Sequence, residues 1–132
     1  MKLSKIKKDT QAAETGVWIN KVLDDLDVKI CSAGNTKYLN LLRQLMKPYQ
    51  RSYKSMDDSV FLEIQNKAIS KHILVDWRNL QDDEGNDIPY SYEKAFELLQ
   101  DPENEEFRKL IVSLSEESEV FRKEALEDLA GK

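Results

Sequence analysis

The side chains able to do chemistry are few: one histidine, His72, one cysteine, Cys31, and a dense acidic turn running from Asp82 to Asp87. A zinc site needs several Cys or His ligands at short, regular spacings, and two single residues far apart in the chain do not supply one. A Ser-His-Asp device would need a spatial coincidence the chain does not announce, and no G-x-S-x-G elbow is present. The acidic turn can be tested as a calcium loop. With Gly85 at the sixth position, the loop would start at Leu80 and end at Ser91, and neither side chain is a carboxylate. A solvated turn is the preferred reading, with weak divalent-ion binding by Asp82, Asp83 and Asp87 as the alternative. The four glycines, Gly16, Gly34, Gly85 and Gly131, are too scattered to cradle a phosphate. Paired carboxylates such as Asp24-Asp25 and Glu116-Glu117-Glu119 are abundant, and nothing marks one of them as desolvated. The expectation is no catalytic residue, no metal and no cofactor.

Both singletons also have plain structural readings. His72 stands at helical spacing from Phe61, Ile64 and Ala68, which makes it a partly buried residue at the edge of a core. Cys31 reads as a buried, inert thiol; one cysteine cannot form an internal disulfide and fits a reducing compartment.

At 132 residues the chain is the size of one domain, with 40% hydrophobic and 34% charged residues and a mean hydropathy of −0.63. It can bury about two-thirds of its extended surface. No apolar run approaches the roughly 20 residues of a membrane span. The basic start, MKLSKIKK, lacks the apolar segment of a secretory signal. Charge is lopsided. Residues 1–54 carry eleven Lys/Arg against five Asp/Glu, or +6, and residues 55–132 carry nine against twenty, or −11, summing to −5. Such polarity suits copies meeting end to end, or an acidic segment meeting a basic partner. It argues against nucleic acid, because the larger part repels phosphates.

The elements that position these residues are mostly helical. Residues 1–15 lack periodicity and are expected to form a flexible segment, with residues 16–132 as a single helical domain. Residues 16–20 and 27–31 are short β-prone runs, and Val22–Leu26 can turn between them, giving a small N-terminal hairpin. A helix through 18–26 competes, since Trp18, Val22 and Leu26 are spaced by four. Asn35 is a fitting N-cap for a helix carrying Tyr38, Leu41, Leu42, Leu45, Met46 and Tyr49, which must end or kink at Pro48. Asp57 or Asp58 caps the next helix, with Phe61, Ile64, Ala68 and His72 inward. Whether it continues through Leu74 and Val75 or gives way to an extended run is open at this level. Ser91 opens a short helix burying Ala95, Phe96, Leu98 and Leu99. Asp101-Pro102-Glu103 combines a cap, a first-turn proline and an acidic first turn. Phe107, Leu110, Ile111 and Leu114 then form an apolar stripe. Ser115 or Ser118 restarts a last helix with Phe121, Ala125, Leu126 and Leu129. The fold expected is mainly α, with α+β as the alternative: about five helices and a hairpin.

The stretch Ile73–Ser91 is read as structural anchorage. Trp77 is a buried anchor and Gly85 admits positive φ in an exposed acidic turn. Pro89, Tyr90 and Ser91 then bring the chain back into a helix. The other candidates are contact residues. Lys47, Tyr49, Arg51, Tyr53 and Lys54 place two tyrosines among cations at a helix end, and tyrosine is a common interface anchor.

The chain resembles the tail assembly chaperones of long-tailed bacteriophages and prophages. The likeness is strongest from Ala68 to Phe121. It runs through Val75-Asp76-Trp77, Asp82–Gly85, and Ile88-Pro89-Tyr90-Ser91 opening a helix with Ala95, to the spaced Phe107 and Phe121. It also touches Asn35-Thr36-Lys37-Tyr38 and the Leu45–Tyr49 run. The resemblance implies a non-enzymatic binding protein that acts in the host cytoplasm and is absent from the finished virion. Its implied partners are the tape measure protein and the tail tube protein, with further copies of itself and neither nucleic acid nor membrane. A permanent particle component, such as a head-tail connector or tail terminator, is the alternative.

Overall fold

In the computed structural model, which describes residues 1–51 and 56–123, a short helix precedes the first strand. The Asp9 carboxylate accepts the Ala12 amide at 3.0 Å and starts α1 (Thr10–Thr15). Gly16 ends it at φ 102°, where an added Cβ would meet Lys29 and Val75 at 3.1–3.3 Å. Residues 10–15 therefore differ from the frayed or extended conformation expected of them. Lone Ala13, which is buried, is too little apolar pattern to reveal a six-residue helix.

The hairpin forms as β1 (Val17–Leu23) and β2 (Leu26–Ile30), turning at Asp24-Asp25. The competing helix through 18–26 loses because Leu26, Val28 and Ile30 alternate onto one buried face, a period that only a strand satisfies. An irregularity between Ile19 and Leu23 puts Lys21 at φ 53°, with its amide donating to the Asp27 carboxylate at 2.9 Å.

α2 (Thr36–Met46) starts where Asn35 accepts the Tyr38 amide at 2.8 Å. It passes into a 3-10 turn, Lys47–Tyr49, that takes Pro48 in its first residues. α3 (Asp58–His72) follows the Asp57 cap. It does not run on through Leu74. The chain leaves the helix at Ile73, and Leu74–Arg78 becomes β3, antiparallel to β2, giving the sheet order β1-β2-β3. The apolar run pairs with an existing strand and buries Ile73, Leu74 and Trp77.

α4 (Tyr92–Gln100) is capped by Ser91, whose hydroxyl accepts the Lys94 amide at 3.1 Å. After a 3-10 turn over Pro102–Asn104, α5 (Glu105–Glu116) and a further 3-10 segment, Ser118–Phe121, follow. Phe121 was expected within a last helix. It instead ends that 3-10 segment, 1% exposed, and its carbonyl accepts the Asp9 amide at 2.9 Å. Ala125, Leu126 and Leu129 lie outside the described residues.

The result is a single, mainly α domain with five α-helices among the described residues and a three-stranded sheet built on the N-terminal hairpin. One core joins Val28, Ile30, Ile69, Leu74, Leu99 and Ile111. Phe61, expected to face inward, is 43% exposed. α3 spends its buried positions on Ile64, Asn66, Ala68, Ile69 and Ser70 instead, because neighbours pack on more than one of its sides.

Candidate functional site

Of the residues first suspected of chemistry, Cys31 and His72 come near each other through the backbone, the Cys31 amide donating to the Ile73 carbonyl at 2.8 Å. Cys31 follows β2 and is 2% exposed, its Sγ donating to the Glu14 carbonyl at 3.4 Å. Burial pushes its thiol up to about 11, so it stays protonated near neutrality. His72 ends α3, half-buried, and its backbone carbonyl accepts the Asn35 side-chain amide at 2.9 Å. Burial, then Lys37 and Lys71, holds the imidazole below its ordinary value. In the acidic turn, the Asp82 carboxylate accepts the Asn86 amide at 2.9 Å and the Glu84 amide at 3.0 Å. These backbone donors lower its pKa, so the carboxylate serves the turn's own backbone. Among the described residues, no three His, Cys, Asp or Glu converge as metal ligands. No described helix is long and apolar enough to cross a membrane.

Four of the five anchor residues meet around one strand and one helix start. Trp77 on β3 is 5% exposed, and its indole N–H donates to the Ile88 carbonyl at 2.7 Å. The Tyr90 ring meets the indole edge-on, with centroids 4.9 Å apart and planes at 79°. The Tyr90 hydroxyl lies 2.7 Å from the Leu74 carbonyl and 3.0 Å from the Ser70 carbonyl, tying the re-entry segment to β3 and to α3. Pro89, exposed, links these two contacts, and Ser91 caps α4 directly after them. Gly85 stands apart at the tip of the acidic turn, at φ 87° with open space around it.

Of the contact candidates, Lys47 and Arg51 are exposed and Tyr49 is half-buried, just beyond the end of α2. Tyr53 and Lys54 lie outside the described residues.

A surface that the residue patterns did not single out lies beside this segment. α2 and α4 flank α3, and between them a groove of about 360 Å³ opens to solvent. Leu41 and Leu45 of α2 form one wall, Tyr92 and Phe96 of α4 the other, and Lys67, Ser70 and Lys71 of α3 the floor. Leu41 and Leu45 are half-buried and Tyr92 is 47% exposed, so the walls are apolar but unfilled. The Lys71 ammonium sits 5.1 Å from the Tyr92 ring centroid, across the rim. A usable signal was present. Tyr38, Leu41, Leu42, Leu45 and Met46 make an apolar arc wider than one buried face needs, so part of it had to remain uncovered. The arrangement can take a row of apolar side chains from a partner helix. Its volume is at the lower end of the roughly 300–1,000 Å³ of ligand pockets, too small to engulf a helix.

Comparison with known proteins gives one result. A family model described as "YdaY prophage protein" matches residues 33–132, which takes in α2 to α5 and β3 and leaves out the hairpin. No curated protein and no solved structure matches the chain.

Proposed function

The chain belongs to the YdaY prophage protein family, and from that premise we propose that it is a tail assembly chaperone. It binds the tape measure protein while the tail is built and helps bring tail tube subunits to it. The observation that carries this reading is the solvent-open apolar groove between α2, α3 and α4. A long amphipathic helical client exposes apolar surface until the tube encloses it. Small helical domains can cover that surface by laying grooves along it. Lys47, Tyr49 and Arg51, which follow Leu45 off the end of α2, extend the client-facing surface, and several copies line one client. The protein works in the host cytoplasm and leaves before the particle is complete.

The test is co-expression with the tape measure protein of the same prophage, followed by capture and by mass spectrometry of purified particles. Client captured from lysate, with this chain absent from particles, supports the chaperone. Stoichiometric presence in particles overturns it in favour of a permanent component such as a connector or terminator.

A further inference from the structure

Resting on the chaperone reading, we propose that the groove selects a helix with carboxylates bordering its apolar stripe, laid against Lys67 and Lys71 of α3. The chain is acidic overall, at −5, yet the charged residues lining this groove are Lys67 and Lys71 against Glu93 alone. The two lysines stand one turn apart on the same face of α3, so a carboxylate pair at the same spacing on a partner helix would meet both. Neither lysine is committed elsewhere. Lys67 reaches Glu63 only at 3.9 Å, with the two side chains 49% and 48% exposed. An exposed pair of that kind is worth about 0–1 kcal/mol and exchanges readily.

Lys71 has no carboxylate within salt-bridge distance among the described residues and lies instead over the Tyr92 ring. The field remains positive one residue further on. After burial, Lys37 and Lys71 are what hold the His72 imidazole down. A carboxylate on a helix that covers Leu41, Leu45 and Phe96 pairs with these lysines as water is displaced from the groove, where an ion pair is stronger than on an open surface. A basic-flanked helix would meet like charge and be rejected.

The experiment uses the full chain co-expressed with the tape measure protein of the same prophage. It compares wild type, the double variant Lys67→Glu/Lys71→Glu, Leu45→Asp, and Lys109→Glu as an exposed control on α5. Circular dichroism and thermal melting establish that each variant is folded, and the exposed lysine changes leave the melt unchanged. The expected result is capture by wild type and Lys109→Glu, with at least tenfold weaker capture by the double variant and by Leu45→Asp. Capture by wild type also weakens as salt rises. Undiminished capture by the double variant, with loss in Leu45→Asp, overturns the acidic partner and leaves the chaperone standing. A double variant that loses only self-association, measured by light scattering, makes the occupant a second copy and also overturns it. No capture by wild type ends the chaperone reading, and the inference with it.

Discussion

Arg108 of α5 donates through its Nε to the Oδ1 of Asn66 on α3 at 2.7 Å, and Asn66 is 0% exposed. The same asparagine donates from Nδ2 to the Leu99 carbonyl at 3.2 Å and to Gln100 Oε1 at 2.7 Å. Arg108 completes the arrangement with Gln65 Oε1 at 2.8 Å. One buried amide thus joins three helices, and it fixes how α4 and α5 stand against the helix that floors the groove. A buried polar side chain is tolerated only when satisfied in this way.

Asn66→Ala should therefore cost about 1–3 kcal/mol, because it leaves the buried Leu99 carbonyl and half-buried groups on Arg108 and Gln100 unpaired. Urea unfolding reads the effect as a lower midpoint with an unchanged slope. An unchanged midpoint would show that water replaces the amide at no cost.

Trp77→Ala should lower stability by about 3–5 kcal/mol, since it empties a site under β3. Tyr90→Phe keeps the ring contact and loses only the hydroxyl, so about 0.5–1.5 kcal/mol is expected. The two side chains touch, and a double-mutant cycle should return a non-zero coupling. Full stability in Trp77→Ala with lost partner capture would make Trp77 a binding residue instead.

Alkaline pH should destabilise the fold. Burial raises Cys31 from 9.0 to about 11 and Tyr90 from 10.0 to about 12. A group whose pKa is higher folded than unfolded contributes stability that is complete below its unfolded value. That contribution is lost as pH rises through the folded one. Unfolding free energy should fall from about pH 9 to pH 12, and Cys31 should resist a thiol reagent at pH 8 until denaturant is added. His72 acts in the opposite sense. Its imidazole is held down, so its contribution is present above its ordinary value near 6.5 and is lost in mild acid. An NMR titration of the single histidine tests this, and a midpoint above 6.5 would contradict it.

Gly85→Ala and Gly16→Ala should differ in cost. Gly85 at φ 87° has open space around it, so only backbone strain of about 1–2 kcal/mol is expected. Gly16 at φ 102° adds close approaches to Lys29 and Val75, and its variant should melt at a lower temperature than Gly85→Ala.

Local signals in the chain were reliable where one residue decides an outcome. Asn35 and Ser91 each cap the helix they were expected to cap, Asp57 takes the cap offered to it or Asp58, and Asp101 caps the 3-10 turn ahead of α5, because a side-chain oxygen two or three residues from a free amide needs no distant partner. The alternation of Val28 and Ile30 was legible for the same reason, whereas Leu26, read as part of the turn, opens β2. Phe61 was misread because helical periodicity names a face without saying which neighbour covers it, and α3 has neighbours on several sides. The match to a prophage family over residues 33–132 agrees with the region in which the phage resemblance was strongest.

What the chain determined alone was the near-neighbour chemistry: the caps, the stop at Pro48 and the hairpin period. What only the tertiary structure decided was the fate of groups whose partners lie far along the chain. Leu74–Arg78 became a strand because β2 offered it an edge. Asn66 became a joint because Arg108, 42 positions away, reached its oxygen. Leu41 and Leu45 were left as a groove wall because a gap remains between them and Tyr92 and Phe96 of α4. Burial belongs to the assembled surface, and no residue carries it alone.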